Sequence, residues 1–262
     1  EENINLWLKE QETGMGVSVT ETTNTISEPV SPVIYKKPTT AEPSQNKLVQ
    51  LSQDFMYAAK TGDEIYSFST SLKRMSMDDL QSTIKSDDEK AFWVNLYNAY
   101  TLMTLKQNPG LYKKRNFFFG SKQFEIAGHL FSLDDIEHGI LRRSKVKWSL
   151  GYLNKPFPNR IEKQLRVNRL DYRLHFALNC GAKSCPPIAF YTSENIDRQF
   201  DQATKSYLRS EAEYDKITNT VKLPTLMSWF RRDFGGKRKI IALLKELSIV
   251  PDNTNPKIKF KN

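Results

Sequence analysis

The sequence has few of the residues that several protein classes need. Its 262 residues include only two cysteines and three histidines, too few for a disulfide-dense secreted scaffold and few as imidazole ligands for metals. No apolar run approaches the roughly 20 residues of a membrane-spanning helix, so we predict no transmembrane segment. Hydrophobic residues make 39% and charged residues 26% of the chain. This composition is typical of a globular protein, and the length suits one large domain or two small ones.

The charge is distributed unevenly along the chain. Residues 1–46 contain seven acidic residues and three lysines, a net charge of −4, so the overall charge of +9 leaves +13 on the rest. From residue 13 to residue 46 the chain is mostly Thr, Ser, Pro and Glu, which bury too little apolar surface to offset the entropy of ordering. We therefore predict an extended arm over 1–46 and a single domain over 47–262. The apolar residues around Trp7 suit a small anchor that docks on this chain or on a larger protein complex.

The arm also bears on where the protein works. A Ser/Thr/Pro-rich arm before a folded domain favours a bacterial protein tethered in the cell envelope, periplasmic or at the surface. A cytoplasmic protein with a flexible N-terminus is the alternative interpretation. The chain begins at Glu1 rather than at methionine, which favours processing or trimming.

Two basic runs, Arg142–Lys147 and Lys237–Lys239, stand out in the domain. Neither accompanies a recognition-helix, single-strand-binding or phosphate-loop signature, so we predict no nucleic-acid partner. We interpret them as solvated faces, and a weak contact with an anionic surface or polymer fits them better.

Helical and extended patterns follow one another without regular alternation. A pattern that begins with a capping box at Ser86 predicts a helix ending at Gln107, and this helix is apolar nearly all round, as expected of a central buried helix. Asn116–Phe119 and Gln123–Ile126 predict a β-hairpin, and Leu174–Leu178 predicts a buried strand. The mixture indicates an α+β fold, a single globular domain of helices packed on a small antiparallel or mixed sheet.

The densest group of reactive residues surrounds the predicted strand at 174–178. His175 lies in the strand, Cys180 follows its end, and Gly181 permits a sharp turn towards Cys185. Residues five apart in a strand point to opposite faces, so His175 is a poor base for Cys180. It can approach Cys185 after the turn.

A second group lies on the helix that Ser132 is predicted to cap. Glu137 falls in the middle of the apolar stripe of this helix, and His138 lies at its edge. A lone carboxylate is costly to bury, so Glu137 is expected to be paired, protonated or functional. Asp134 and Arg142 lie one turn before and one turn after His138, close enough to support it.

Two amides lie in the predicted central helix. Asn95 and Asn98 share one side of a segment rich in Phe, Trp, Leu and Tyr. Buried amides need hydrogen-bond partners. We expect the pair to brace the backbone of the cysteine loop or to orient a histidine.

Each of these residues also has a structural interpretation. The two cysteines can be inert core thiols or a small-loop disulfide, and His175 can be a satisfied core histidine. Glu137 can neutralise a buried arginine such as Arg173, and the amides can serve packing alone. The spacing of His175, Cys180 and Cys185 with Glu137 or His138 matches none of the usual structural zinc patterns. We therefore predict no metal and no cofactor.

Three motifs in order resemble the family called domain of unknown function 547. They are the segments 91–99 (AFWVNLYNA), 131–142 (FSLDDIEHGILR) and 175–187 (HFALNCGAKSCPP). Trp229-Phe230 and Asp233-Phe234 resemble the ending of the same family, so the likeness extends over residues 46–250. The family occurs in bacteria, plants and some animals, and its name assigns no activity. The resemblance thus implies which residues matter and gives no reaction.

The candidate residues support two functions of different classes. The first is a cysteine-dependent hydrolase or acyl transferase, with Cys180 or Cys185 as nucleophile, His138 or His175 as general base, and Glu137 or Asn95 as orienting group. The second is a non-catalytic binding or assembly module whose arm docks on a larger complex, such as one of the cell envelope. Dithiol redox chemistry is a third reading, although four residues separate the cysteines instead of the two of thioredoxin-like motifs.

Overall fold

The structure is a computed structural model, and it describes residues 43–181, 185 and 188–261. The arm as far as residue 42, with its Trp7 anchor, lies outside the described residues. Its last residues contact the domain, because the Ser44 hydroxyl donates to the Glu194 carboxylate at 3.2 Å.

Helices make most of the described part. The α-helices are α1 (Lys47–Thr61), α2 (Tyr66–Arg74), α3 (Met77–Thr83), α4 (Asp87–Gln107), α5 (Arg115–Gly120), α6 (Arg160–Leu165), α7 (Ile196–Glu211), α8 (Thr225–Trp229) and α9 (Gly236–Glu246). A π-helix covers Asp135–Leu141, and 3₁₀ helices cover Pro109–Lys113, Tyr172–Phe176 and Ser193–Asn195. Among the described residues, no helix is both long enough and apolar enough to cross a bilayer.

The strands of the described residues form two small sheets. The antiparallel hairpin pairs β1 (Phe124–Ile126) with β2 (His129–Phe131). The second sheet has the order β3-β4-β5, built from Glu213–Asp215, Thr220–Leu223 and Lys257–Phe260. In it β3 and β4 are antiparallel, and β4 and β5 are parallel. This combination confirms the predicted α+β class, with two sheets instead of one.

Helix α4 is the centre of the larger of two hydrophobic clusters, as its all-round apolar pattern predicts. Its segment from Ala91 to Leu102 is buried throughout, and it packs most extensively against α1. A second cluster joins Phe176 to α9 and the three-stranded sheet. The candidate site lies where elements of the two clusters meet.

The start of α4 differs from the predicted capping box. Ser86 has a positive φ of 54° and its side chain makes no capping hydrogen bond. The first turn instead carries three acidic residues, Asp87 to Glu89. Their negative charge is favourable at the positive end of the helix dipole, which supports the helix start without a side-chain cap.

The predicted hairpin is wrong in its first strand. Residues Arg115–Gly120 form α5, and β1 pairs instead with the following strand β2. The turn between them is Ala127-Gly128, both with positive φ, which is the backbone of the two-residue turns that match strand twist. The hairpin of this region is therefore formed by residues 124–131 and not by residues 116–126.

The predicted strand over 174–178 is also wrong. Tyr172–Phe176 is a 3₁₀ helix, and the Asp171 carboxylate caps it by accepting from the Arg173 N–H at 3.1 Å. A short apolar run does not distinguish a buried strand from a buried helical turn. His175 and Cys180 therefore do not lie on one strand, and the expectation that their side chains point to opposite faces does not apply.

Candidate active site

One open cleft collects most of the candidate residues. Its volume is about 660 Å³, and its walls come from α4, the π-helix, the 3₁₀ helix at 172–176 and the segment 224–230. Its lining includes every residue predicted to be catalytic, namely Glu137, His138, His175, Cys180 and Cys185, together with Asp134. Asn95, Asn98 and Arg142 lie behind this lining.

A reciprocal cap at Ser132 precedes residues 133–134, the α-helical residues that lead into the π-helix. The Ser132 hydroxyl accepts from the Asp135 N–H at 3.0 Å, and the Asp135 carboxylate accepts from the Ser132 N–H at 2.9 Å. This cap confirms Ser132 as the start of the helix. Wide π-helical turns are frequent at functional sites. Here the turn lets the neighbours Glu137 and His138 both line the cleft.

Glu137 is paired with a tyrosine of α4. The Tyr97 hydroxyl donates to Glu137 Oε2 at 3.1 Å. Burial raises the pKa of Tyr97 well above its usual value, and the Glu137 charge raises it further, so Tyr97 stays a donor. The suggested pairing of Glu137 with Arg173 is wrong, because Arg173 bonds the three carboxylates Asp171, Asp197 and Asp201.

His138 has a cationic neighbour. Its Nδ1 lies 2.9 Å from Arg142 Nη1, and a guanidinium can only donate, so Nδ1 accepts. Burial, followed by the charge of Arg142, lowers the pKa of His138 to about 3. The ring is therefore neutral with its proton on Nε2, which lies 3.5 Å from Asp134 Oδ1. In this arrangement His138 offers a hydrogen-bond donor at Nε2 rather than a base.

His175 has an anionic neighbour. Its Nε2 lies 3.0 Å from Asp233 Oδ2, and the same oxygen accepts from Arg142 Nε at 2.7 Å. Burial lowers the pKa of His175, although the hydrogen bond and charge of Asp233 act in the opposite direction. Burial acts to raise the pKa of Asp233, but the bonds from His175 and Arg142 lower it below its usual value. A neutral His175 thus donates from Nε2 and keeps Nδ1 as the acceptor.

Aromatic rings fix the orientation of the His175 ring. Phe230 stacks on it with a centroid distance of 4.0 Å and an interplanar angle of 13°, and Phe234 lies at 5.4 Å. The Arg142 guanidinium lies over the same Phe230 ring, 4.5 Å from its centroid. With a buried carboxylate on one side and stacked rings on the other, His175 has a single well-defined position.

The two cysteines form a disulfide in the structure, one of the alternatives that the sequence left open. Both line the cleft and are half-buried. Gly181, with a φ of +79°, makes the turn that follows, and a Cβ there would meet Leu105 Cδ1 at 2.7 Å. The close approach and the positive φ both require glycine at this position.

The two amides of α4 brace the chain on either side of the cysteine loop. Asn98 donates to the Ala177 carbonyl at 3.0 Å and accepts from the Asn179 N–H at 2.8 Å. Asn95 makes the same pair of bonds with the backbone of Tyr191, both at 2.9 Å. Of the two roles expected for these amides, bracing the backbone or orienting a histidine, these bonds have the geometry that bracing needs.

Sequence reasoning missed three residues of the site. Asp233 and Phe230 drew notice only through the resemblance at the C-terminal end, and Tyr97 only as part of an apolar helix. Asp233 is 58 positions from His175, and no local pattern links them. A carboxylate between two large aromatic residues, in Phe230–Phe234, was the available signal for a buried acid.

The described residues offer no metal centre. No group of three or more His, Cys, Asp or Glu side chains in this part of the chain is arranged to hold a metal ion. The polar groups of the cleft are one neutral donor at His138, one carboxylate-held histidine at His175 and the Tyr97–Glu137 pair.

The geometry defines an α+β domain with a cleft of acid–base character. Residues 81–208 match the family model described as "Protein of unknown function, DUF547", which confirms the resemblance inferred from the motifs. The matched span contains Glu137, His138, His175 and both cysteines, and it ends before Asp233. No curated protein and no solved structure matches the chain.

Proposed function

We propose that the cleft is the active site of a cysteine-dependent hydrolase or acyl transferase. In this proposal Cys180 is the nucleophile, His175 is its base, and Asp233 holds the base in position. The observation that carries the proposal is the His175–Asp233 pair, a histidine held by a fully buried carboxylate in the same cleft as the cysteines. A nucleophile, a base and an orienting group on separate elements are the parts that acyl transfer needs.

Cys180 suits the nucleophile better than Cys185 because its backbone is held. The residue before it, Asn179, is bonded to Asn98 of the central helix, and Asn179 Oδ1 accepts from the Gly181 N–H at 2.9 Å. Both bonds fix the chain next to the sulfur. Precise placement of the reacting atom accounts for a large part of the rate of such reactions.

The chemistry requires the reduced form, which a dithiol reductant supplies by exchange with the Cys180–Cys185 bond. The Cys180 proton then passes to His175 Nδ1, and the thiolate sulfur bonds to a substrate carbonyl carbon whose π electrons move to oxygen. When the tetrahedral adduct collapses, the leaving group departs with the proton from His175. Water or an acceptor alcohol or amine attacks the thioester next, and its proton returns through His175 to the Cys180 sulfur.

The other polar groups of the cleft have matching roles. The His138 Nε2–H is a neutral donor, and a donor held in place stabilises the negative charge that develops on the carbonyl oxygen. Asp233 keeps the His175 proton on Nε2, so the free Nδ1 remains the base. His138 therefore acts as a donor and His175 as the base, although the sequence alone allowed either to be the base.

Trapping of the acyl-enzyme tests the proposal. The dithiol-reduced full chain is incubated with activated esters and thioesters of short, long and aromatic acyl groups, and its intact mass and peptides are measured. We expect an acyl adduct on Cys180, no adduct in Cys180→Ser, and a roughly 100- to 10,000-fold slower adduct formation in His175→Gln.

His129→Gln is the matched control, because this third histidine lies in β2 and outside the cleft. It is expected to acylate at the wild-type rate. Absence of any Cys180 adduct with every acyl donor, or equal rates in His175→Gln and His129→Gln, contradicts the proposal. Saturable binding of these compounds without acylation would support instead the alternative of a non-catalytic binding module.

A further inference from the structure

Exposed apolar side chains are concentrated in one loop beside the cleft. Among the large hydrophobic side chains exposed in the described part, half lie within residues 148–157: Trp148, Leu150, Tyr152, Leu153 and Phe157. Trp148 is 77% and Phe157 92% exposed. Contiguous exposed apolar groups of this kind mark interaction surfaces in folded proteins. We call residues 143–158 the aromatic loop.

The aromatic loop is an ordered structure with its apolar groups pointing outwards. Its two sides pair through the Val146 N–H, which donates to the Leu153 carbonyl at 3.0 Å. Its tip is attached to the domain through the Arg232 N–H, which donates to the Leu150 carbonyl at 3.0 Å. Trp148 is therefore held exposed by a hydrogen-bonded backbone. A partner that buries it does not have to order the loop first.

The chain around the aromatic loop is strongly basic. Residues 142–169 contain nine Lys and Arg side chains and one acidic residue, Glu162. Glu162 is already bonded to Lys155 at 2.8 Å. The exposed basic side chains of this stretch include Arg143, Lys147, Arg160, Lys163 and Arg169. The exposed charged side chains of this stretch are therefore all basic, and of these Lys147 is paired with Asp134.

We propose that the aromatic loop docks on the surface of an anionic lipid bilayer. Trp and Tyr favour the headgroup region because their rings are amphipathic, and leucine and phenylalanine gain by entering the acyl boundary. Lysine and arginine beside them are attracted to anionic headgroups. A protein–protein interface would instead be depleted in lysine at its core, so the combination of exposed apolar side chains and exposed cations fits a membrane better.

Docking in this way places the candidate active site at the lipid surface. Lys147, which precedes Trp148, lines the cleft and bonds Asp134 at 2.8 and 2.9 Å. Gly151 at the tip contacts Asp233 so closely that a Cβ there would collide with Asp233 Oδ1. The aromatic loop and the cleft thus share Lys147, but binding of the loop to a bilayer does not depend on the chemistry proposed for the cleft.

Vesicle sedimentation of the full chain tests the proposal. We use vesicles of phosphatidylcholine alone and of equal parts phosphatidylcholine and phosphatidylglycerol, at low and high salt. We expect at least about tenfold stronger partition to the anionic vesicles, weakened by salt because salt screens the charges. The double variant Trp148→Ala/Phe157→Ala is expected to lose about tenfold or more of this partition.

Matched variants distinguish binding through the aromatic loop from nonspecific adsorption of exposed apolar groups and from general electrostatic attraction. Tyr66→Ala/Ile217→Ala removes two equally exposed apolar groups elsewhere, and we expect it to bind like wild type. Arg160→Gln/Lys163→Gln is expected to weaken binding several-fold, and only on anionic vesicles. Lys237→Gln/Arg238→Gln makes the same charge change on α9 and is expected to weaken binding by a smaller factor. Thermal melts confirm that each variant is folded.

Three results would overturn the proposal. The first is no sedimentation of the full chain with either vesicle, as would happen if the acidic arm covered the loop. The second is wild-type partition by Trp148→Ala/Phe157→Ala, or equal losses in the Tyr66/Ile217 control. The third is salt-sensitive binding to heparin or DNA without vesicle binding, which would assign the basic stretch to a polyanion.

Discussion

The two histidines of the cleft show how neighbours decide what one residue type can do. Both are buried, and burial lowers the pKa of both. His138 contacts the cation Arg142 and is left with a donor at Nε2, whereas His175 contacts the anion Asp233 and is left with an acceptor at Nδ1. A short distance apart along one cleft wall, the same side chain is thus prepared for opposite roles.

Arg142 connects the two histidines. Its Nη1 donates to His138 and its Nε donates to Asp233 at 2.7 Å, and its side chain is 0% exposed. The guanidinium therefore sets the tautomer of one ring and supports the carboxylate that sets the tautomer of the other. The sequence placed Arg142 near His138, but its second contact comes from 91 residues away.

The largest loss of stability is expected for the removal of the Asp233 carboxylate, the anionic contact that distinguishes His175 from His138. Asp233→Ala leaves Arg142 buried without its ion pair, and breaking a buried pair costs about 3–5 kcal/mol of unfolding free energy. Urea unfolding measures this loss. Asp252→Ala, an exposed carboxylate, is the control and should cost little. A variant of Asp233 as stable as wild type would contradict the pairing.

The second-largest loss of stability is expected for the two amides of α4, which differ in whether they hold the chain next to Cys180. Asn98→Ala removes the amide that bonds the Ala177 carbonyl and the Asn179 N–H, at about 2–3 kcal/mol of unfolding free energy. Asn95→Ala is expected to cost a similar amount on the far side of the loop. Only Asn98→Ala should also slow alkylation of reduced Cys180, because only Asn98 holds the chain leading to that sulfur. Equal labelling in the two variants would show that this brace does not position the nucleophile.

The third prediction uses pH to test the neutral state of His138. In the folded chain with its disulfide closed, burial and the charge of Arg142 lower the pKa of His138 to about 3, whereas a histidine of the unfolded chain has a pKa near 6.5. The unfolded state therefore binds more protons at this site below pH 6.5, so the contribution of His138 to stability is full above pH 6.5 and falls by up to about 1.4 kcal/mol per pH unit as the pH drops towards 3. Burial lowers the pKa of His175 as well, which acts in the same direction. His138→Gln should remove the His138 part of this slope, so that stability falls less steeply between pH 6.5 and 5. An unchanged slope in His138→Gln would mean that this ring is not kept neutral.

The smallest effect concerns the third polar pair of the cleft. Tyr97→Phe removes the donor to Glu137 and is expected to cost about 1 kcal/mol of unfolding free energy, the net value of one hydrogen bond. Tyr66→Phe, at an exposed tyrosine, is the matched control and should cost nothing measurable. If both variants unfold at the same denaturant concentration, the Tyr97–Glu137 bond does not contribute.

Much of the fold and of the candidate site followed from local patterns. The all-round apolar segment of α4 predicted a central helix, and the glutamate on an apolar stripe predicted a polar cluster at residues 134–142. The strand at 174–178 and the hairpin at 116–126 were wrong because short apolar runs suit either structure, and turn and cap residues decided between them. The Asp233 partner could not be predicted, because its 58-residue separation from His175 reflects tertiary packing alone.

The most direct test of the proposed nucleophile and base is the pH dependence of iodoacetamide labelling at Cys180, measured on the dithiol-reduced, folded full chain by peptide mass spectrometry. A thiol paired with a histidine is a thiolate well below the ordinary cysteine pKa of about 8.5. We predict half-maximal labelling of Cys180 below about pH 7 in wild type and in His129→Gln, and near 8.5 in His175→Gln. Half-maximal labelling near 8.5 in all three proteins, or labelling of Cys180 only after denaturation, would contradict the account.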